Sequence, residues 1–147
     1  MGSLNDIAIP TAEVIVSPGV TITVRGLAFY DVSTILKDHA GVLDKLYREH
    51  IVERHEVPPA DQLARALMTE APDVAAQIIA SANDAPEAVD KVRKLPGITQ
   101  VNALLEIARL TFHSEDEVKK LLETVIEGAG VLSNLLGIVR VPSLPQA

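Results

Sequence analysis

The spacing of apolar residues divides the chain into a short β segment followed by helices. β-branched residues flank a Ser17-Pro18-Gly19 turn, and those after the turn alternate with threonine: Val20, Ile22 and Val24. Period-two alternation around a Pro-Gly turn predicts a β-hairpin over residues 13–25. Because two strands alone are marginally stable in water, we expect the hairpin to pack on helices or to pair with another chain.

After the hairpin the apolar period changes to that of a helix. Asp31 can cap the first helix, and Gly41 is a candidate break before a second. Asp84 is a candidate cap for a later helix, and Ser114 and Glu117 form a predicted capping box for the last one. Prolines separate the segments between these points. We predict a mainly α fold in which the N-terminal β-hairpin packs on a bundle or array of about six to seven short helices.

The length of 147 residues fits one domain. We predict a flexible N-terminus over residues 1–12, a single mostly helical domain over 13–141, and a loose tail over 142–147 that holds two prolines. The longest charge-free run, residues 128–139, is too short to span a bilayer, which takes about 18–20 residues. The N-terminus also lacks the features of a secretory signal. We therefore expect no membrane partner and a cytoplasmic location.

Composition excludes several classes of function. The 13 basic and 20 acidic residues give a net charge of −7, which argues against nucleic-acid binding through phosphate neutralisation. Two Tyr and two Phe are too few for a base-stacking surface. With no cysteine, the chain has no disulfide, thiolate metal site or thiol nucleophile.

The chain contains no convincing catalytic motif. His50, Glu53 and His55 are candidate metal ligands, but a spacing of five residues does not place both histidines on one helix face. Gly128-Ala129-Gly130 resembles part of a dinucleotide loop, but the third position of that motif is Ser133. We therefore predict no catalytic, cofactor-binding or metal-binding residues, no cofactor, and no enzyme activity.

Two apolar features are candidates for contact with a partner. One is the hairpin, whose edges need covering or pairing. The other is the charge-free segment 128–139, which either packs in the core or contacts an apolar helical partner. The predicted partner-binding residues are Val20, Ile22, Val24, Val131, Leu132, Leu135 and Leu136.

A family resemblance lies in the run from Ile22 to Leu27, which contains Arg25-Gly26-Leu27. It continues through the residues that follow at helical spacing: Asp31, Val32, Ile35, Leu36, His39 and Leu43. This pattern resembles the N-terminal part of the tail assembly chaperones of long-tailed bacteriophages, in which a short strand pair leads through an Arg-Gly-Leu corner into an acidic-capped helix. The resemblance covers residues 14–55 in detail, and beyond them it is one of size and helical architecture.

The resemblance implies a non-enzymatic chaperone that binds the tape-measure protein and keeps it soluble until the tail tube polymerises around it. It also implies a longer form that recruits the tail-tube protein, self-association of many copies along the cargo, a location in the host cytoplasm, and absence from the mature virion. Two alternatives stay open: a structural tail completion or connector component, and a helical adaptor domain.

Overall fold

The computed structural model describes residues 2–53 and 58–113, together with residues 117, 120 and 124. Its N-terminal part is the predicted hairpin, with β1 at Thr11–Ser17 and β2 at Val20–Arg25 in one antiparallel sheet. Gly19 closes the turn at a φ of 78°, a left-handed conformation that suits glycine. The register is irregular between Ile15 and Ser17, as in a β-bulge. A short 3-10 turn, Leu4–Asp6, precedes the sheet.

Five α-helices follow in the described part of the chain. Their bounds are α1 Phe29–Tyr47, α2 Ala60–Glu70, α3 Pro72–Ala82, α4 Val89–Arg93 and α5 Gly97–Thr111. A π-helical turn, Arg48–Val52, extends α1, and a 3-10 turn, Pro86–Ala88, leads into α4. Pro72 opens α3 as predicted, because proline at the first helical position loses no hydrogen bond. The mainly helical architecture with an N-terminal hairpin is thus confirmed.

The predicted count of six to seven helices differs from the five that lie in the described part of the chain. The break expected at Gly41 lies two residues earlier, because α1 continues through Gly41 but is interrupted at His39, whose φ of −134° and ψ of 29° are not helical. Beyond the kink, Leu43 and Leu46 continue the apolar stripe of α1 onto the cluster formed by Ile35 with two residues at the start of α3, Ala71 and Val74. This packing outweighs the cost of about 1 kcal/mol for a glycine inside a helix. The last predicted helix, from Ser114 onward, and the tail 142–147 lie outside the described residues except at three positions.

Helix α3 lies at the centre of the core. Most of its side chains are small and buried, with Val74 and Ile79 the largest among them. It contacts all four other helices as well as β2, and α5 packs against both strands. The buried residues that join these elements are Val14, Val24, Ala64, Ala75, Ala76, Ile79, Ala80, Ala82, Val92, Ala103, Leu104 and Ile107. Alanines along α3 let its neighbours approach closely.

Within the described part of the chain, no helix combines the length and the apolar composition needed to cross a bilayer.

Candidate functional site

Arg25, the last residue of β2, ties the base of the hairpin to two helices. Its Nη1 donates to Asp31 Oδ2 at 2.7 Å and to the Gly26 carbonyl at 2.9 Å. Its Nη2 donates to Asp31 Oδ1 at 3.3 Å and to the Ser81 carbonyl at 3.1 Å, and its Nε donates to Asp84 Oδ1 at 3.0 Å. A guanidinium has five N–H groups, so every donor has an acceptor. We call this arrangement, with Gly26 and Leu27, the Arg25 corner.

The charges of the corner stabilise one another in a partly buried setting. The Arg25 side chain is 19% exposed and that of Asp31 is 10% exposed. Hydrogen bonds to Asp31 and then to Asp84 raise the pKa of the guanidinium above its ordinary value. Burial opposes ionisation of Asp31, but the hydrogen bonds from Arg25 and from the Ala28 N–H outweigh it, so the pKa of this carboxyl lies below its usual range. The pair is therefore ionised at neutral pH.

Asp31 caps α1 from a position different from the predicted one. The helix begins at Phe29, and Ala28 occupies the N-cap without a side-chain hydrogen bond. The Asp31 carboxylate, three residues on, accepts the backbone N–H of Ala28 at 2.8 Å. The prediction that Asp31 caps this helix is therefore confirmed, with its carboxylate satisfying a free donor at the helix start from the third helical position rather than from the N-cap itself.

Asp84 reaches the corner because of how α3 ends. It has a φ of 58°, and its backbone N–H donates to the Ser81 carbonyl, while the Ala85 N–H donates to the Ala80 carbonyl. These two bonds form a Schellman motif, in which the residue after the C-cap is left-handed. Asp84 therefore ends α3, and the prediction that it caps the next helix is wrong. Aspartate tolerates this conformation better than most residues.

Gly26 and Leu27 fix the corner against the end of α5. A Cβ on Gly26 would lie 2.8 Å from the Leu110 carbonyl oxygen, so only glycine fits without a shift of the backbone. The Leu27 N–H donates to Thr111 Oγ1 at 2.9 Å, and this hydroxyl donates in turn to the Ile107 carbonyl at 2.6 Å. The Arg-Gly-Leu sequence is thus a structural clasp between β2, α1, α3 and α5.

An open apolar groove lies beside the clasp. Its lining residues come from the corner, the start of α1, the end of α5 and the chain that follows: Leu27, Phe29, Val32, Thr111, Phe112, Glu117, Lys120 and Thr124. Its volume is about 430 Å³. A 150 Å³ cavity holds one benzene ring, so the groove has room for roughly two to three groups of that size. We call this feature the α1–α5 groove.

Aromatic residues concentrate at this groove. Phe29 and Phe112 line it, and Tyr30 follows Phe29 in the first turn of α1. Phe29 is 66% exposed and Tyr30 is 81% exposed. Three of the four aromatic residues of the chain therefore lie in or beside one surface feature. Exposed aromatic side chains next to an apolar groove are typical of a partner-binding surface.

The predicted partner-binding residues lie elsewhere. Val20, Ile22 and Val24 share the hairpin face that packs on the helices, and their burial increases along the strand: Val20 is 51% exposed, Ile22 is half-buried and Val24 is fully buried. Val24 is thus a core residue and is removed from the contact surface. Val131, Leu132, Leu135 and Leu136 lie outside the described residues. The exposed Phe29 and Tyr30 are not among the predicted residues, and their signal in the sequence is two consecutive aromatic residues before the helix-capping Asp31 in a chain poor in aromatics.

His50 forms a second polar cluster, at the far end of α1. Its Nε2 lies 2.7 Å from Glu70 Oε2, and the hydrogen bond from His50 lowers the pKa of the Glu70 carboxyl. Among the described residues, Glu49, His50 and Glu70 have ligand atoms within 4.8 Å of one another, and Glu49 also lies 3.9 Å from Lys45 Nζ. The cluster is thus explained by a hydrogen bond from the π-helical turn to α2, between His50 and Glu70, and by a local ion pair between Lys45 and Glu49. Of the candidate set His50, Glu53 and His55, Glu53 is exposed and His55 lies outside the described residues.

Glu117 accepts a hydrogen bond from the backbone N–H of His113. The Ser114 half of the predicted capping box lies outside the described residues.

Comparison with known proteins identifies a family. The family model described as "Pre-tape measure protein" matches residues 2–137, which include the hairpin, the Arg25 corner and all five helices. Searches among curated proteins and among solved structures each returned no match.

Proposed function

The chain belongs to the pre-tape measure protein family, and from this premise we propose that it is a non-enzymatic chaperone that binds the tape-measure protein. The family match confirms the resemblance noted at residues 14–55 and gives the chain a role in phage tail assembly. Its extent, residues 2–137, is the observation that carries the proposal. In this proposal the chaperone keeps its long cargo soluble until the tail tube polymerises around it.

The α1–α5 groove supports the proposal as a first cargo contact. An amphipathic helix presents apolar side chains at intervals of three and four residues, and such side chains fit an apolar groove. Phe29 lines the groove and Tyr30 follows it in α1, and both side chains are exposed; aromatic residues are among those that contribute most to binding at protein interfaces. The net charge of −7 favours solubility of the complex through repulsion between copies.

The hairpin tip is a second proposed contact. Val20 and Ile22 keep part of their apolar surface in solvent, and Ile15 on the opposite face is 69% exposed. We also retain Val131, Leu132, Leu135 and Leu136 as proposed cargo contacts. Self-association along the cargo, a longer form that engages the tail-tube protein, action in the host cytoplasm, and absence from the mature virion complete the proposal.

Co-expression with the tape-measure protein tests the function directly. Without the chaperone, we expect the tape-measure protein in the pellet after centrifugation, and with it we expect the protein in the supernatant. The double variant Phe29→Ser/Tyr30→Ser should lose most of this solubilising effect. Its own fold should persist, because substitutions at exposed positions usually change stability by less than about 0.5 kcal/mol.

Ile98→Ser is the matched control. Ile98 is 68% exposed, close to the value for Phe29, but it lies at the opposite end of α5. Fourteen residues of helix separate it from Phe112 by about 21 Å. Equal loss of cargo solubility in both variants would contradict a role for the groove. Recovery of tube or connector proteins alone, in a pull-down from infected cells, would contradict the chaperone function and favour a structural tail component.

A further inference from the structure

The two edges of the hairpin differ in how they are covered. In an antiparallel pair, residues whose N–H and C=O groups point at the partner strand alternate with residues whose groups point outward. The Thr23 carbonyl accepts a hydrogen bond from Asn83 Nδ2 at 2.7 Å, so Thr23 is an outward residue of β2. Its partner in the register, Glu13, is therefore an outward residue of β1. The end of α3 thus covers the β2 edge at Thr23, and the question is what covers the β1 edge.

Three residues of β1 present outward backbone groups. By the same alternation they are Thr11, Glu13 and Ile15. No described residue outside the hairpin forms a hydrogen bond with any of the three. The stretch from Thr11 to Ile15 also lacks proline and lysine, which often block a strand edge, and the irregularity of the register lies only beyond Ile15. Such an edge is able to pair with a further strand.

The outward residues are symmetric about Glu13, so the edge is complementary to itself. When two copies of β1 run antiparallel with Glu13 opposite Glu13, Thr11 of each copy lies opposite Ile15 of the other. Each of these pairs exchanges two backbone hydrogen bonds, so all the outward groups of the three residues find partners. The contact has two-fold symmetry and closes after two copies.

The exposed side chains beside this axis fit the same pairing. Ile9 is 62% exposed and Ile15 is 69% exposed. Ile9 precedes β1 by two residues, so Ile9 of one copy becomes a diagonal neighbour of Ile15 of the other, within the reach of side chains across a ladder. The two Glu13 side chains meet at the axis, but they lie on the exposed face, where water weakens their repulsion. The pairing thus adds an apolar contact on each side of the axis.

We propose that two copies of this chain pair through the β1 edge, antiparallel about Glu13, and form one four-stranded sheet. Residues opposite each other share a face, so the helices of both copies pack on one side of this sheet. Three or more strands with an apolar face are stable where an isolated pair is marginal. The inference names the contact for the self-association included in the proposed function, and it rests on that part of the proposed function alone.

Sedimentation velocity of the isolated full chain over a series of concentrations tests the dimer. Glu13→Pro removes the outward N–H at the axis, a position where proline leaves the bonds to β2 in place, and it should weaken the dimer at least about tenfold. Thr21→Pro is the matched control, because it removes an outward N–H from β2 and should leave the dimer unchanged. A wild type that stays monomeric at every concentration, or equal affinity of the wild type and Glu13→Pro, would overturn the proposal.

A cysteine at the axis tests the register without introducing proline. The chain has no native cysteine, so Glu13→Cys can form a disulfide only between two copies. In the proposed pairing the two Cα atoms at this position lie about 5.5 Å apart, within the range of a disulfide. Mild oxidation should therefore convert most of the Glu13→Cys protein to a covalent dimer.

Thr21→Cys is the matched control for the disulfide. Thr21 is exposed on the same face of the hairpin, opposite Ile15, but it lies on β2. In the proposed sheet three strand spacings, or about 14 Å, separate it from Thr21 of the other copy, so no disulfide should form. Equal cross-linking of the two variants, or none in Glu13→Cys, would overturn the proposal.

Neither experiment contains tape-measure protein. A negative result therefore contradicts the β1 contact between copies alone, and the co-expression test continues to decide the chaperone function independently.

Discussion

The two ends of the hairpin differ sharply although their sequence pattern is the same. At the base, Val24 is fully buried and Arg25 donates hydrogen bonds to α1, to α3 and to Asp84 just after α3. At the tip, Val20 lies on the same face of β2, four residues away, and is 51% exposed. Alternation predicts which face of a strand is apolar, but the position of the neighbouring helix ends decides how much of that face is covered.

The helices that secure the base explain the difference. Asn83, at the end of α3, donates its Nδ2 to the Thr23 carbonyl at 2.7 Å. Thr111, at the end of α5, accepts the Leu27 N–H. Both contacts lie near the Arg25 corner. The base is therefore expected to contribute most of the hairpin's stability, and the tip is expected to be available for binding.

Arg25→Met should destabilise the base of the hairpin more than any other substitution considered below. The substitution keeps much of the apolar stem but leaves the partly buried Asp31 carboxylate without its main partner. Removing one partner of a buried ion pair lowers the free energy of unfolding by about 3 kcal/mol. We expect a loss of that order in the free energy of unfolding, measured by urea titration with circular dichroism.

Arg93→Met is the control for Arg25. Arg93 pairs with Asp73 and Asp90, but its side chain is 46% exposed. Exposed pairs contribute less than about 1 kcal/mol. Equal destabilisation by the two variants would contradict the special role assigned to the corner.

A comparison of Val24→Ala with Val20→Ala tests directly how tightly the base and the tip of the hairpin are packed. Removing two methyl groups from the fully buried Val24 should cost about 2 kcal/mol, including the cavity that remains. The same change at the exposed Val20 should cost less than about 0.5 kcal/mol. Thermal and urea unfolding of both variants would check this, and a comparable loss at Val20 would show that the tip is packed.

Gly26→Ala should disturb the base through the backbone. The new Cβ would meet the Leu110 carbonyl oxygen at 2.8 Å, and overpacking of this kind costs about 1–3 kcal/mol. At Gly41 a Cβ meets no atom within 4 Å, and Gly41→Ala should stabilise α1 by about 0.5–1 kcal/mol. Opposite shifts of the melting temperature are expected, and destabilisation by both would refute this account of the two glycines.

Lowering the pH should reduce the stability of the hairpin base, and this effect should be smaller than those of the substitutions above. Because the folded pKa of Asp31 lies below its unfolded value, its contribution to stability is complete above the unfolded pKa of about 3.9 and declines as pH falls toward the lowered folded pKa. Stability of the wild type should therefore drop more steeply below about pH 4 than that of Asp31→Asn. Urea midpoints at several pH values would reveal this, and parallel curves would contradict it.

Local signals in the sequence were sufficient for the hairpin and for several helix starts. A Pro-Gly turn between β-branched runs and a proline before an apolar stripe each depend on nearby residues. The break predicted at Gly41 lies at His39 instead, and beyond it Leu43 and Leu46 pack on the cluster at the start of α3, a contact distant in sequence that local signals do not encode. The same reason explains Asp84, whose role follows from the end of α3 and its pairing with Arg25.

The candidate surface was harder to predict than the fold. The α1–α5 groove joins Leu27 and Phe29 to residues more than eighty positions away, and no periodicity encodes that approach. The predicted hairpin contacts rest on apolar character alone, and Val24 is fully buried. The signal for Phe29 and Tyr30 is that two of the four aromatic residues of the chain are adjacent.

The hydrogen bond between Leu27 and Thr111 also has a consequence for biosynthesis. It joins residues 84 positions apart, so the hairpin is made early but cannot be secured until α5 has been synthesised. At about 5–20 residues per second, this interval lasts about 4–17 s. During it the two strands, which are marginally stable alone, have exposed apolar faces. We expect the hairpin, although it is synthesised early, to reach its native packing only after α5 has been made.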